Sequence, residues 1–193
     1  MPGPSQRPLP IGAVLAGGAA SRLGGAKATA QLNGRPLISY PLAALAQAGL
    51  EAIVVAKADS PLPPLEVALL TEPDEPAHPL AGVVAALGHA GSRGVLVLPC
   101  DAPFVTPMLL RVMAGAEKAT AARSSGQVHP LIAFYPASAL GPLESAVHDG
   151  VSATQALESL DPEWIEVPER ETFNVNTPDD LACAEALLRQ VRS

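Results

Sequence analysis

The sequence predicts an α/β fold in which helices cover both faces of one doubly wound, mostly parallel β-sheet. Short, nearly continuous apolar runs recur along the first half of the chain, as in strands buried on both faces. Longer stretches with helical spacing of apolar residues lie between them, and this alternation is typical of a parallel sheet. The chain has 193 residues, of which 48% are hydrophobic, so we expect a single domain with a proper core over residues 1–193.

The predicted elements follow one another along the chain. The apolar runs predict four strands in the first half, at residues 9–16, 52–57, 67–70 and 94–99. Helical spacing predicts three helices between and after them, at residues 37–48, 80–90 and 107–118. The second half holds three more predicted strands, at residues 118–123, 128–136 and 163–168, and two more helices, at residues 140–148 and 154–160.

The last predicted helix, which extends to residue 191, has the clearest start. Thr177 suits the N-cap position, and Pro178 suits the first helical position because its missing N–H group would be unpaired there anyway. Asp179 and Asp180 complement the positive end of the helix.

Charge and composition exclude several classes of function. The formal net charge of −7 disfavours a nucleic-acid groove or an anionic membrane surface as partner. No apolar run reaches the roughly 18 residues of a membrane span, and the N-terminus lacks the apolar core of a signal peptide, so we expect a cytoplasmic protein. The two cysteines, Cys100 and Cys183, are too few for a disulfide framework, although a single bridge stays open. We expect Cys100 to be a small buried hydrophobic residue.

The segment "VLAGGAASRLGGAK" follows the first predicted strand and is rich in glycine. Open α/β sheets bind ligands at the carboxyl ends of their strands, where glycines let backbone amides approach an anion closely. Two cations in the segment add full charges that suit a triphosphate. The candidate residues are Gly17, Gly18, Gly24, Gly25, Arg22 and Lys27. The alternative is a flexible turn with two solvated cations.

Two known phosphate loops are excluded by spacing. A Walker loop needs Gly-Lys followed by Ser or Thr, whereas Lys27 stands between Ala26 and Ala28. The dinucleotide pattern G-x-G-x-x-G is also absent, which argues against a dinucleotide-dependent oxidoreductase.

A carboxylate, Asp101, directly follows "VLVLPC", two positions after the end of the strand predicted at residues 94–99, and therefore lies at the same edge of the sheet. A hard oxygen ligand beside a triphosphate is what Mg²⁺ requires, because this ion takes few protein carboxylates and completes its shell with phosphate oxygens and water. The alternative is an aspartate that caps the turn into the next helix.

Several segments together resemble the MobA-like nucleotidyltransferases. They are "LAGGAASRLGGAK", "LNGRPL", "HPLAG" at 78–82, "PCDAPF" at 99–104, "HP" at 129–130 and "FNVNTPDDL" at 173–181. The opening motif is shared with cytidylyltransferases and sugar-nucleotide transferases, whereas the later motifs narrow the similarity to MobA-like proteins. The resemblance implies a Rossmann-like nucleotidyltransferase fold and nucleotidyl transfer.

The resemblance also implies roles for particular residues. Leu15, Ala16 and Gly17 would lie against the nucleotide, and Asp101 would bind the metal ion. The acid that holds guanine matches Glu72, whose carboxylate can accept from N1–H and N2–H₂. The alternative is a solvated acid in a proline-rich loop, where Asp74 and Glu75 are also available.

Other candidates come with open alternatives. Asn174 and Asn176 precede the last helix, and we take Asn176 as a candidate metal ligand, although asparagine also suits turns. His129 either faces the acceptor substrate or is a satisfied rim residue, and His78 either lines the base pocket or packs on its loop.

The chain departs from the family pattern at three places. His78 replaces a common glycine, the segment before Lys27 is shortened, and residues 57–59 read Lys-Ala-Asp where the family often has an asparagine.

The resemblance implies transfer of GMP from Mg-GTP to the phosphate of molybdopterin cofactor, with cofactor-delivery proteins among the partners. Related proteins instead use CTP on the same cofactor, or GTP on a phospholactate. A non-catalytic nucleotide-binding module is the alternative from another class.

Overall fold

The computed structural model describes residues 8–17 and 27–190. Nine strands lie in these ranges: β1 (Ile11–Leu15), β2 (Gln31–Leu32), β3 (Arg35–Pro36), β4 (Ala52–Ala56), β5 (Ala68–Thr71), β6 (Val95–Pro99), β7 (Thr120–Ser124), β8 (Gln127–Tyr135) and β9 (Glu163–Glu166). The α-helices of the same ranges are α1 (Ser39–Ala48), α2 (Ala81–Ala90), α3 (Pro107–Ala114), α4 (Leu140–His148), α5 (Ala153–Glu158) and α6 (Pro178–Gln190). Among the described helices, none is both long and apolar enough to cross a bilayer.

Seven of the described strands form one sheet in the order β5-β4-β1-β6-β8-β7-β9. The neighbours β5, β4, β1 and β6 are parallel, and β9 is parallel to β7. Strand β8 is antiparallel to both of its neighbours, and it follows one of them, β7, through a two-residue turn at residues 125–126. The prediction of a mostly parallel α/β sheet is therefore confirmed.

Each face of the sheet carries its own apolar layer. On one face, α1 and α3 cover the sheet through residues such as Leu45 and Leu110. On the other face, α2, α4 and α5 contribute Leu87, Leu143 and Leu157. Alternate side chains of a strand point to opposite faces, so short runs with no polar residue, such as β6, supply both layers at once. The doubly wound arrangement is thus confirmed.

Two local expectations need correction. The helix predicted at residues 107–118 ends at Ala114, where Gly115 follows and its N–H group donates to the carbonyls of Arg111 and Val112 over 3.3 and 3.2 Å. The hairpin of β2 and β3 was not predicted, although its turn residues Asn33 and Gly34 both have positive φ. An Asn-Gly pair between strands is the strongest short signal for such a hairpin, so the sequence contained it.

The predicted start of the last helix is confirmed. The N–H group of Asp180 donates to Thr177 Oγ1 over 3.1 Å, as an N-cap residue requires, and the helix begins at Pro178.

Candidate functional site

A cavity of about 680 Å³ opens at the carboxyl edge of the sheet. Residues one or two positions after the ends of four adjacent parallel strands line it, together with Asn176 from the segment before α6. In sheet order these residues are Glu72 after β5, Lys57 after β4, Gly17 after β1 and Asp101 after β6. The cavity therefore lies where parallel α/β sheets bind ligands.

At one end of the cavity, the ammonium group of Lys27 donates hydrogen bonds to two side-chain oxygen atoms from distant parts of the chain. Its Nζ atom lies 2.7 Å from Asp101 Oδ2 and 2.5 Å from Asn176 Oδ1, with sequence separations of 74 and 149 residues. The Asp101 side chain is 6% exposed and the Lys27 side chain 24%, so the ion pair is shielded from most of the solvent. The three candidates that the sequence named separately thus meet at one point.

Backbone hydrogen bonds hold this cluster in place. The N–H group of Val175 donates to Asp101 O over 2.9 Å, which joins the segment before α6 to the end of β6. The N–H groups of Asn176 and Thr177 donate to Asp180 Oδ2 over 3.0 and 2.9 Å. These hydrogen bonds to the first turn of α6 fix the backbone of Asn176, so only the side-chain torsion angles of Asn176 remain free to vary.

The donor set at this end fits a hard divalent cation. A carboxylate oxygen of Asp101 and an amide oxygen of Asn176 already converge on one cationic atom, Lys27 Nζ. Both are hard oxygen ligands of the kind that Mg²⁺ takes together with phosphate oxygens and water. Within residues 8–17 and 27–190, no three His, Cys, Asp or Glu side chains form a cation site of their own. A cation held here would therefore depend on ligand oxygens as well.

The other end of the cavity is formed by Glu72, which lies between two glycines. A Cβ atom added at Gly17 would be 1.9 Å from Glu72 Oε1, and one added at Gly82 would be 2.7 Å from Glu72 Oε2. Any side chain at Gly17 would therefore displace the carboxylate. Burial raises the pKa of Glu72, and the cation of Lys57 only partly offsets this effect.

The other acids of this loop do not line the cavity. Asp74 lies on the surface, 78% exposed, with Oδ1 at 3.9 Å from Lys57 Nζ. An oxygen of Glu75 accepts from Ala77 N–H at an exposed position. Of the three acids that the sequence offered, Glu72 alone is aimed into the cavity.

His78 lines the cavity, but both of its ring nitrogens are engaged within the protein. Nδ1 accepts from Leu80 N–H over 3.1 Å, so the ring proton lies on Nε2, which is 2.8 Å from Val151 O. The ring therefore ties the loop before α2 to the loop between α4 and α5. His78 thus lines the cavity and is also held against its own loop, so both alternatives considered from the sequence are present, and a contact of His78 with the base stays a prediction.

His129 is hydrogen-bonded inside the protein. Its Nε2 atom lies 3.0 Å from Ser124 Oγ, which lies 2.8 Å from Thr172 Oγ1. Burial lowers the pKa of His129. Leu131, two residues further along β8, lines the cavity. A role for His129 toward an acceptor stays a prediction.

Cys100 is buried beside Asp101, as expected. Burial, and then the adjacent charge of Asp101, raises the pKa of the thiol to about 12, so a thiolate nucleophile is disfavoured. Both cysteines are free, and Cys183 lies exposed on α6.

The remaining candidates fall into two groups. Leu15 and Asn174 line the cavity, and Ala16 is anchored next to them by a hydrogen bond from its N–H group to Val55 O. Among the described residues, no donor reaches the buried Oδ1 atom of Asn174. The other group lies outside the described residues and consists of Gly18, Arg22, Gly24 and Gly25.

Comparison with known proteins gives consistent matches over most of the chain. The family model of the MobA-like NTP transferase domain matches residues 12–163 of the chain. A molybdenum cofactor guanylyltransferase of Rhizobium meliloti (strain 1021) is 33% identical over 208 residues, covering 96% of this chain and 94% of that protein. A protein of the same name from Acidiphilium cryptum (strain JF-5) is 34% identical over 187 residues, covering 90% and 92%.

Solved structures share the fold. Molybdopterin-guanine dinucleotide biosynthesis protein A from Archaeoglobus fulgidus superposes with a TM-score of 0.75 at 27% identity, covering 93% of this chain and 99% of that one. The 2-C-methyl-D-erythritol 4-phosphate cytidylyltransferase of Thermus thermophilus has a TM-score of 0.71 at 23% identity, covering 94% and 100%, and this similarity concerns the fold alone.

Proposed function

Because the chain belongs to the MobA-like NTP transferase family, we propose that it transfers GMP from GTP to the terminal phosphate of molybdopterin cofactor and releases pyrophosphate. As a member of this family it is a nucleotidyltransferase. The guanine nucleotide and the acceptor come from relatives named molybdenum cofactor guanylyltransferase. The observation that carries the proposal is the meeting of Lys27, Asp101 and Asn176 in a cavity whose opposite end presents Glu72.

The two ends of the cavity suit the two ends of a nucleotide. Glu72 follows β5 and Asp101 follows β6, with β4 and β1 between them. Neighbouring strands lie about 4.8 Å apart, so three strand steps separate the backbones of the two residues by roughly 14 Å along the sheet edge. The side chain of Glu72 reaches from β5 toward Gly17, which follows β1. The base would lie at Glu72, and the triphosphate would extend toward Lys27 and Asp101.

The contacts to the nucleotide follow from this placement. We assign Lys27 and Asp101 to the phosphates and the reacting centre, and the backbone around Leu15, Ala16 and Gly17 to the nucleotide. From the sequence motif alone, we add Arg22 to the phosphate contacts and Gly18 to the nucleotide contacts. Glu72 would accept hydrogen bonds from guanine N1–H and N2–H₂. Cytosine and adenine do not present that pair of donors on adjacent atoms, so this contact favours guanine.

The reaction is an in-line displacement at the α-phosphorus. A terminal phosphate oxygen of the acceptor forms a bond to this phosphorus while the bond to the β-phosphate oxygen breaks, and the electron pair leaves with pyrophosphate. Lys27 would donate to phosphate oxygens whose charge grows in the transition state. The acceptor phosphate is already an anion at neutral pH, so the chain needs no strong general base.

Nucleotidyltransferases generally use a divalent metal ion, and we propose Mg²⁺ for this one. Asp101 and Asn176 would hold it, because their oxygens already converge on one cation. When bound there, Mg²⁺ supplies positive charge to the phosphate oxygens around the reacting centre. We further propose that residues 1–193 act as one domain in the cytoplasm and receive the cofactor from delivery proteins, without nucleic acid or a membrane as partner.

Product analysis tests the proposal directly. The protein is incubated with Mg²⁺, each of GTP, CTP, ATP and UTP in turn, and either molybdopterin cofactor or phospholactate as acceptor, and the products are identified by mass. We expect a guanine dinucleotide product and pyrophosphate with GTP. A CMP adduct would contradict the guanine assignment, and GMP transfer to phospholactate but not to molybdopterin would contradict the acceptor. Absence of any product alongside tight nucleotide binding would identify a non-catalytic module.

Replacing Gly17 with alanine is expected to weaken GTP binding by about tenfold, comparable to the loss of one hydrogen bond to a charged group. The new methyl group would overlap Glu72 Oε1 and push the carboxylate away from its position. Calorimetric titration with Mg-GTP measures the effect. The matched control is Gly88→Ala, because no side chain and no backbone outside its own helix lies within 4 Å of the added methyl group there. An equal loss of affinity in both variants would contradict the role of Gly17.

The raised pKa of Glu72 predicts a pH dependence of guanine binding. Only the ionised carboxylate accepts from both N1–H and N2–H₂, so GTP affinity should fall as pH falls through the pKa of Glu72. That loss should begin at a higher pH than an ordinary glutamate would give. The Glu72→Gln variant provides the reference, because protonation of the nucleotide phosphates affects both proteins alike. A constant ratio of the two affinities across pH would refute this prediction.

A further inference from the structure

Lys57 stands beside Glu72 at the carboxyl edge of the sheet, and the reaction described above leaves it without a role. Ala56 of β4 is paired with Thr71 of β5, and Glu72 N–H donates to Ala56 O over 2.9 Å. Lys57 and Glu72 are therefore the next two neighbours across parallel strands. Both side chains line the cavity.

The ammonium group of Lys57 is anchored but retains donor capacity. Its Nζ atom donates to Asp74 O over 3.1 Å, and the Asp74 carboxylate oxygen lies further away at 3.9 Å. An ammonium has three N–H donors. Within the part of the chain that the structure describes, one of these N–H donors bonds to the backbone carbonyl of Asp74. The exposed carboxylate of Asp74 is too distant for a second good hydrogen bond. At least one donor is thus available to a ligand in the cavity.

Lys57 and Glu72 influence each other electrostatically without being bonded. Burial raises the pKa of Glu72, and the positive charge of Lys57 is the main effect that opposes it. No hydrogen bond or ion pair joins the two side chains among the described residues. The two residues are therefore neighbours at the strand ends and both line the cavity, with the Glu72 carboxylate against Gly17 and Gly82 and Lys57 Nζ at Asp74 O.

The position of Lys57 points to the base and not to the phosphates. Lys57 follows β4, whereas Asp101 follows β6, and β1 lies between them. Two strand steps place these residues roughly 10 Å apart along the edge. Lys27 already serves the end at Asp101, so Lys57 belongs with Glu72.

We propose that Lys57 Nζ donates a hydrogen bond to O6 of the guanine base while Glu72 accepts from N1–H, so that Lys57 is a specificity-determining residue for 6-oxopurines. This inference rests on the proposed function, because it concerns the same nucleotide site. Adenine carries an amino group at position 6, so its N–H donors would face the ammonium and leave both groups unpaired. The pair thus combines attraction for guanine with rejection of adenine.

The test is calorimetric binding of Mg-nucleotides without any acceptor. GTP is compared with 6-thio-GTP, in which sulfur, a weak acceptor, replaces O6, and with ITP, which lacks only the 2-amino group. For the wild type we expect GTP to bind about tenfold or more tightly than 6-thio-GTP, as for one hydrogen bond to a charged group. In Lys57→Met this preference should fall to within about twofold, on the same hydrogen-bond scale. The GTP to ITP ratio should stay unchanged, because the 2-amino group lies at Glu72.

The control is Lys118→Met, which removes an exposed lysine paired with Asp161 outside the cavity, and it should keep the wild-type preferences. Thermal unfolding establishes that each variant is folded, and Lys57→Gln replaces Lys57→Met if the latter is not. A Lys57 variant that weakens GTP and 6-thio-GTP equally overturns the inference, since Lys57 would then contact another part of the nucleotide. A wild type that does not prefer GTP over 6-thio-GTP also overturns it. A wild type that binds ATP or CTP as tightly as GTP contradicts the proposed function itself.

Discussion

Replacing Asp101 with asparagine is expected to lower kcat/KM for GMP transfer by at least about 10²-fold, the usual effect of removing one stabiliser of transition-state charge. The side chain keeps its shape but loses its charge. Asp101 is buried, follows the fully buried strand β6, and shares Lys27 with Asn176. No other carboxylate among the described residues contacts Lys27, so none replaces it there. Initial rates at varied GTP and Mg²⁺ concentrations measure the change.

The matched control for this variant is Asp161→Asn. Asp161 also pairs with a lysine, but it is 97% exposed and lies outside the cavity, so turnover should be unaffected. The Asp101→Asn protein should remain folded, which its thermal unfolding curve checks. Turnover within about threefold of the wild type would exclude Asp101 from the stabilisation of transition-state charge.

Replacing Lys27 with methionine is expected to lower kcat/KM by about 10²- to 10³-fold, because a cation at the reacting phosphates is lost. The same change should also destabilise the fold. It removes the ion-pair partner of the buried Asp101 carboxylate, at a cost of about 1–3 kcal/mol in the free energy of unfolding. Steady-state kinetics and denaturant unfolding measure the two effects separately.

The double variant Lys27→Met with Asp101→Asn separates catalysis from stability. Without its charge, residue 101 no longer needs a cation, so the double variant should be more stable than Lys27→Met alone. Its activity should stay at or below that of either single variant. If the two losses in unfolding free energy simply add, the Lys27–Asp101 contact contributes nothing to the fold. If activity recovers together with stability, the two residues act only as a structural pair.

Most elements of the fold could be predicted from the sequence because they depend on local patterns. The strand at residues 94–99 and the helix at residues 140–148 appear within a residue of their predicted bounds. A strand that is buried on both faces requires an unbroken run of apolar residues. A helix that is buried along one side requires apolar residues at helical spacing. Errors occurred where one residue interrupts a pattern, as Gly115 does at the end of α3.

The candidate site could be predicted only in part. Gly17, Glu72 and Asp101 each follow a strand. The alternation of strands and helices therefore predicts that all three lie at the carboxyl edge of the sheet. The sequence could not show that Asn176 would reach Lys27, 149 positions away. The segment that carries Asn176 is joined to the end of β6 by the hydrogen bond from Val175 N–H to Asp101 O, a contact between residues 74 positions apart.

The amino-acid pattern determined which segments become strands and helices, because the conformation of a segment depends largely on residues within a few positions of it. It thereby also determined which polar residues stand at the carboxyl edge of the sheet. Packing of the folded chain established the rest. It aimed Glu72 rather than Asp74 or Glu75 into the cavity, engaged both nitrogens of His78, and brought two distant oxygens onto Lys27. The physical reason is that side-chain direction and polar partners depend on groups far away in sequence, which only the assembled layers bring within hydrogen-bonding distance.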